Sequence, residues 1–501
     1  MPKTALVSVS DKTGLAEFAR GLRKLNFEIL STGGTFDFLR KNKIAATRVE
    51  NVTEFPEILG GRVKTLHPKV FGGILSRSSK KDSAELKKFT IPKIDLVCVN
   101  LYPFEKTITQ KKVKLSAAIE NIDIGGVSLI RAAAKIFERV MVVTKPEQYS
   151  EILTKLKKGI SKTERQELAA EAFAETQKYD ALIANFLGAE GEMPVFEFQN
   201  NLRYGENPHQ AAQLFHEIGN NKATIANAEV LGGKELSFNN LMDADFAIRV
   251  PFDFAQPTVA VIKHANPCGV ASDSEISSAL AKALAADKKS PFGGIIALNR
   301  PVDKKCAEII RPLFMEVIIA PKFEKSALAI LQKKKNLRLL AVGNFVNDPE
   351  ELDFKKIGGG VLVQKRDTKT VDAKNLKVVT KRPPTKQQIR DLVFAAKVCK
   401  HAKSNAIVIA EDGVAVGIGA GQTARVDAVE IALAKAGSRA SGAVLASDAF
   451  FPFPDSVEVA AKAGISAIIQ PGGSIRDEES IKAANAANIA MVFSGVRGFK
   501  H

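Results

Sequence analysis

Short apolar runs alternate with amphipathic stretches along most of the chain, and Gly-bearing turns separate them. Residues 6–9 are an apolar run, followed by Ser10-Asp11-Lys12-Thr13-Gly14. Leu15, Phe18, Ala19, Leu22 and Leu25 then recur at helical spacing, which predicts strand, turn and helix in succession. The pattern returns with the run 27–30, the turn Ser31-Thr32-Gly33-Gly34-Thr35 and a second helix. Apolar runs at 94–99 and 140–143 flank a predicted helix over 127–135. Further helices are predicted over 146–158 and 163–187. Such alternation predicts a parallel, doubly wound α/β domain over residues 1–195. Gly188-Ala189-Glu190-Gly191-Glu192-Met193-Pro194 reads as a linker.

The rest of the chain repeats the theme. The run 258–262 predicts a buried strand that delivers Lys263 and His264 into a turn at Asn266-Pro267, closed by Gly269. More strands are predicted at 295–298 and 317–320. Pro383-Pro384 marks a break. A helix follows over 385–401, opened by a Thr-x-x-Gln cap. An internal echo links 295–321 to 445–471: apolar strand, Pro-bearing turn, helix, then an apolar strand ending in Pro. Residues 196–501 are therefore expected to hold two related α/β units, roughly 196–380 and 381–501. Lys263 and His264 would stand at a strand end of the first, and Asn405 on the corresponding strand of the second.

Composition narrows the class. A 45% hydrophobic, 25% charged chain of 501 residues is that of a globular protein with several domains. No run of 18 apolar residues suggests a membrane span, and no signal-peptide pattern is read at the N-terminus. Four well-separated cysteines, without Cys-x-x-Cys, favour a reducing cytoplasm and neither disulfides nor zinc. The net charge of +17 favours anionic partners, but the Lys residues are dispersed and aromatics reach only 7%. That suits phosphorylated metabolites better than nucleic acid, which favours a basic stripe or stacking platform.

Several turns carry candidate chemistry. Ser10, Lys12, Thr32, Gly34 and Thr35 would form an anion cradle at two helix starts, where backbone amides are free. Each turn alone reads equally well as ordinary capping. Gly60-Gly61-Arg62-Val63-Lys64-Thr65-Leu66-His67-Pro68 is too rich in Gly and basic groups for a plain loop. Asp123 could cap the helix that follows and leave the amides of Ile124 and Gly125 as oxyanion donors. Lys135 lies on that helix. The loop holding Arg203, Tyr204, Asn207 and His209 reads as a ligand loop. The Lys263-His264 pair suits proton transfer and charge stabilisation, although a solvated Lys and a hydrogen-bonded His at a strand end would look the same.

As a set, Ser8 to Gly14, Gly60 to Pro68, Asn100 to Phe104, Ile122 to Gly126, Leu202 to Gln210, Lys263-His264, Gly417 to Gly421 and Ser447 to Phe453 resemble one family. It is that of the bifunctional purine-biosynthesis enzymes joining aminoimidazole-carboxamide ribotide formyltransferase to IMP cyclohydrolase. The resemblance implies a methylglyoxal-synthase-like N-terminal cyclohydrolase domain. It also implies a C-terminal formyltransferase of two cytidine-deaminase-like units, without the deaminase zinc. It implies 10-formyltetrahydrofolate as cosubstrate, no metal for the chemistry, and a homodimer with the transferase site at its interface.

For formyl transfer, the resemblance implies His264 as base, Lys263 as charge stabiliser or acid, and Asn405 as oxyanion donor. Arg203, Tyr204, Asn207, His209 and Gly293 would hold the ribotide, with Asp448 and Phe450 along its base. For ring closure it implies Lys64, Tyr102, Asp123 and Lys135 in the chemistry. Ser10, Lys12, Thr32, Gly34, Thr35, Arg62, Thr65, Asn100, Ile124 and Gly125 would bind the substrate. Two other readings are a binding module for phosphorylated metabolites, with no use for Lys263-His264, and a nucleic-acid-binding protein accounting for the charge.

Overall fold

The structure is a computed structural model describing residues 2–110, 113–189, 193–287 and 290–501. Residues 190–192 of the expected linker lie outside the described residues. The chain divides into two compact units, Met1–Glu197 with Glu217–Gly219, and Phe198–His216 with Asn220–His501.

The first unit is built on five parallel strands: β1 (Lys3–Val9), β2 (Phe27–Ser31), β3 (Thr47–Arg48), β4 (Leu96–Asn100) and β5 (Met141–Val143), in the order β3-β2-β1-β4-β5. Their apolar runs are continuous because helices cover both faces, so Ala5, Leu6 and Val7 are buried in succession. Helix Leu15–Lys24 adds Leu15, Phe18, Ala19 and Leu22 to that core, the face its periodicity predicts. Strand order reverses between β1 and β4, whose carboxyl ends pair at Val9 and Asn100. Open α/β sheets bind ligands at such a point. Helix Lys162–Leu187 closes the unit, opened by a Ser161–Glu164 capping box and ended by Gly188 at φ 77°.

β6 (Phe196–Leu202) pairs with β7 (Ala212–Glu217) in a separate two-stranded sheet, most of which belongs to the second unit. Among the described residues, the main sheet of the second unit has twelve strands. In chain order they are β8 (Glu229–Gly232), β9 (Thr258–Lys263), β10 (Asn266–Ser272), β11 (Ile295–Leu298), β12 (Val317–Ala320) and β13 (Arg338–Ala341). After the hairpin β14 (Leu352–Ile357) and β15 (Gly360–Lys365), which stands apart, come β16 (Lys377–Val378), β17 (Ile407–Glu411), β18 (Val414–Gly419), β19 (Val444–Ser447), β20 (Ala467–Gln470) and β21 (Ala490–Phe493).

The order β10-β9-β11-β12-β13 is matched by β18-β17-β19-β20-β21, and the two halves join at Ala271 and Val414. The duplication extends to packing detail. A Cβ on Gly269 would sit 2.1 Å from the carbonyl oxygen of Ala283, and one on Gly417 2.1 Å from that of Ala432. In each half a strand meets its covering helix too closely for any side chain. Among the described residues no helix is long and apolar enough to cross a membrane.

Two sequence-based expectations need correction. The chain turns not at Asn266-Pro267 but at His264-Ala265, which link β9 to β10 with φ of 54° and 52°. Asn266 and Pro267 already belong to β10, where a bulge between Pro267 and Gly269 accommodates a proline that lacks a ladder donor. Asn405 also stands just before β17 rather than on it. Because β9, β10, β18 and β17 run alternately antiparallel, the end of β9 and the start of β17 share one edge of the sheet.

Candidate active site

The strand ends of the first unit gather one cluster. Asn100, at the end of β4, accepts from the amides of Ser10 and Asp11 at 2.6 and 3.0 Å and donates to the Asp11 carbonyl at 3.0 Å. It closes the loop after β1 across the switch point. Lys12 Nζ donates to the Ser10 carbonyl at 3.4 Å. Thr35 Oγ1 bonds both the amide and the carbonyl of Val9 at 3.0 Å, and Thr32 Oγ1 lies 2.7 Å from Ser8 Oγ. These hydroxyls therefore shape the cradle rather than face a ligand. Its free donors are the first amides of helix Gly33–Lys41, and a Cβ on Gly34 would meet nothing within 4 Å.

Lys64 reaches this opening from another loop. Its Nζ lies 3.9 Å from where a Gly33 Cβ would stand and 3.9 Å from Glu57 Oε1. Its charge also acts on Asp123. Burial pushes the Asp123 carboxyl above its ordinary 3.8, while the amides of Gly126 and Tyr102 and the Lys64 charge pull it back. Asp123 Oδ1 accepts from Gly126 N at 2.6 Å, the predicted cap of helix Gly125–Lys135. Its own amide donates to Tyr179 Oη at 2.9 Å. Thr65 Oγ1 lies 3.0 Å from a Cβ placed on Gly125, and Ile124 and Tyr102 are exposed beside the cluster. Arg62 pairs with Glu120 at 2.6 Å on the surface. Lys135 does not join. It is exposed at the far end of the helix, ten residues and about 15 Å along the axis from Gly125.

The second unit gathers its groups at the shared sheet edge. Lys263 is half-buried and donates through Nζ to the Phe292 carbonyl at 2.8 Å, while His264 is exposed on the turn. The Ala265 amide donates to Asp243 Oδ1 at 2.8 Å. Asn266 bridges the two halves: Nδ2 donates to the His264 carbonyl at 3.3 Å and Oδ1 accepts from Lys403 N at 3.1 Å. Gly293, at φ 71°, donates its amide to the Phe314 carbonyl at 2.8 Å.

Asn405 and Asp448 are not placed as the resemblance implied. Asn405 Nδ2 donates to the carbonyls of Gln422 and Thr423, both at 3.0 Å, and Oδ1 accepts from Arg425 Nη2 at 2.6 Å. Both N–H groups are committed, so no donor remains for an oxyanion. The Asp448 side chain is fully buried, paired with Arg425 Nη1 and accepting from Ser404 Oγ at 2.6 Å. It braces the Arg425 guanidinium rather than lining a ligand's base, whereas Phe450 beside it is half-exposed. Arg425 went unnamed among the sequence candidates, yet its position carried a signal. A cation at the first residue of helix Arg425–Ala436 opposes the helix dipole and calls for a carboxylate nearby.

Arg203 lies with its guanidinium 5.3 Å from the Tyr204 ring centre, in the loop between β6 and β7. Gln210 knits that loop: its Oε1 accepts from Asn207 N at 2.8 Å and Nδ2 at 3.0 Å, and its carbonyl accepts from Gly205 N at 2.7 Å. His209 is exposed. An open groove runs along the loop, lined by Arg203, Glu206, Gln210, Phe215 and Phe238 among others. Phe238 opens helix Phe238–Arg249, the element that also carries Asp243 to the His264 turn.

Comparison with known proteins agrees across the chain. The family described as AICARFT/IMPCHase bienzyme matches residues 133–435, and the MGS-like domain matches 14–128. Proteins named bifunctional purine biosynthesis protein PurH align over the whole of both chains. The chain is 51% identical to that of Acetivibrio thermocellus, 50% to that of Thermoanaerobacter sp. and 49% to that of Oceanobacillus iheyensis.

Proposed function

The chain belongs to the AICARFT/IMPCHase bienzyme family, and on that premise we propose how its residues divide two reactions. It is a bifunctional enzyme of purine biosynthesis, a formyltransferase and an IMP cyclohydrolase. We assign ring closure to residues 1–195 and formyl transfer to 196–501. The formyl donor is 10-formyltetrahydrofolate and the acceptor is 5-aminoimidazole-4-carboxamide ribotide.

The observation that carries the transferase assignment is the edge where Lys263 and His264 meet the start of β17. The aromatic amine is a weak nucleophile because its lone pair is delocalised, so its proton must leave as the nitrogen attacks the formyl carbon. His264, exposed on its turn, accepts that proton. Lys263 spends one N–H on Phe292 and retains others for the developing oxyanion and the departing folate nitrogen. The bond from folate nitrogen to formyl carbon breaks, and the proton that nitrogen needs comes from the lysine. Arg203, Tyr204, Asn207 and His209 hold the ribotide. Asn405 positions the edge through Arg425 instead of donating to the oxyanion.

In ring closure the carboxamide nitrogen attacks the formyl carbon and water departs. Asp123, with a carboxyl made more basic by burial, takes the carboxamide proton. Lys64 and the amides of Ile124 and Gly125 stabilise the oxyanion, and Tyr102 serves the leaving oxygen. Ser10, Lys12, Gly34 and the neighbouring helix start hold the phosphate.

The working form is a homodimer in the cytoplasm. Two-stranded sheets are marginal alone, and Phe198, Phe215, Leu362 and Val363 on the two hairpins are exposed apolar groups suited to a second copy. The four unpaired thiols fit a reducing compartment. The test is to mix the protein with the ribotide and 10-formyltetrahydrofolate and resolve the products. The His264→Ala variant should make no formylated ribotide yet cyclise it at full rate when supplied. Retained formyl transfer would remove His264 from the reaction.

A further inference from the structure

His264 and Ala265 form a two-residue hairpin turn with both φ angles positive, 54° and 52°. Turns of this type favour Asn, Asp and Gly, and a Cβ in the left-handed region crowds the following carbonyl. Neither His nor Ala is at ease there. Strain of this sort persists only where surroundings over-determine the backbone.

The surroundings here are specific. Asp243 Oδ1 accepts from the Ala265 amide at 2.8 Å, reaching in from helix Phe238–Arg249. Four residues earlier on the same helix face, Asn239 Nδ2 donates to the Glu206 carbonyl at 3.2 Å. Glu206 lies in the loop that carries Arg203, Tyr204, Asn207 and His209. One helix face therefore fastens both the ribotide loop and the turn that presents the imidazole, about 6 Å apart along its axis.

We propose that Asp243 is a positioning residue for formyl transfer: its carboxylate on the Ala265 amide holds the strained turn so that His264 meets the amine bound by the 203–210 loop. The inference rests on His264 being the base. Asp243 touches no reacting atom. It fixes where the imidazole stands relative to Lys263, and Asn239 ties the substrate loop to the same frame. The two contacts divide the work: Asp243 sets the chemical step, Asn239 the seating of the ribotide.

The experiment compares Asp243→Ala, Asp243→Asn and Asn239→Ala in the full-length chain, with formyl transfer and cyclisation of supplied formylated ribotide measured separately. Asp243→Ala should lose between about tenfold and 100-fold in transferase kcat with little change in KM for the ribotide, since small misplacements of a reacting group carry costs of that order, whereas Asp243→Asn, whose amide oxygen can still accept from the Ala265 amide, should lose much less. Asn239→Ala should mainly raise that KM. Cyclisation should be unchanged in all three. The decisive arm is Ala265→Gly in the Asp243→Ala background. Glycine adopts a positive φ without a Cβ clash, so the turn re-forms unaided and kcat recovers. Transferase kcat within twofold of wild type in Asp243→Ala, or a loss that Ala265→Gly does not relieve, overturns the proposal. Full transfer by His264→Ala would instead defeat the base assignment itself, so the two failures are distinguishable.

Discussion

Replacing Asp448 by Asn separates a brace from a ligand contact. Its carboxylate has no exposed side-chain surface, and the Arg425 side chain opposite is 5% exposed. The amide of Asp448→Asn would keep the size and a bond to Ser404, but it would leave the guanidinium buried without a counter-charge. Breaking one side of such a pair typically costs about 3–5 kcal/mol, mostly the penalty of the stranded charge. Arg425→Met should cost a similar amount, and it also frees Asn405 Oδ1 from its 2.6 Å bond. Removing both charges strands neither. The double variant should therefore fall short of the summed losses by about 2–3 kcal/mol. Urea unfolding followed by circular dichroism, with the cycle completed, measures this. Transferase kcat should fall in each variant as Asn405 loosens. Strict additivity, or stability of Asp448→Asn within about 0.5 kcal/mol of wild type with only a raised ribotide KM, would refute the brace and restore Asp448 to the ligand.

Other consequences follow from named groups. Because burial raises the Asp123 carboxyl above 3.8, the acid limb of cyclisation should lie above that of an ordinary carboxylate; Lys64→Ala removes a lowering charge and should move the limb higher still in a pH–rate profile. Burial holds the His401 imidazole below its ordinary 6.5, against Asp253 at 2.7 Å. A depressed folded value means stability is present above 6.5 and lost as pH falls below it, and denaturant titrations should show His401→Gln flattening that loss. Gly269→Ala and Gly417→Ala should each lower the thermal midpoint, since either Cβ would stand 2.1 Å from a helix carbonyl oxygen.

The strands and most helices were legible because their signals are local. Buried parallel strands read as apolar runs, and the echo between 295–321 and 445–471 announced the duplicated half-sheets. The His264-Ala265 turn was not legible. Its residues are poor turn formers, and Asn266-Pro267 nearby looks like a better turn than the one formed. The contact that meets it, Asp243 on the Ala265 amide, comes from a helix that no local turn pattern points to. Asn405 and Asp448 were legible as candidates, but their hydrogen-bond commitments to Arg425, Gln422 and Ser404 appear only in three dimensions. Lys135 shows the reverse limit: it shares a helix with the Asp123 cap, yet helical rise carries it out of reach.

The central claim is that two separate clusters on one chain perform consecutive reactions. It is tested most directly by a time course with the ribotide and 10-formyltetrahydrofolate, resolving the formylated intermediate and inosine monophosphate together. The wild type should deliver the monophosphate, Asp123→Ala should accumulate the intermediate, and His264→Ala should yield neither from the ribotide while still closing supplied intermediate. Loss of both reactions in either variant, with the fold intact, would contradict the division of labour.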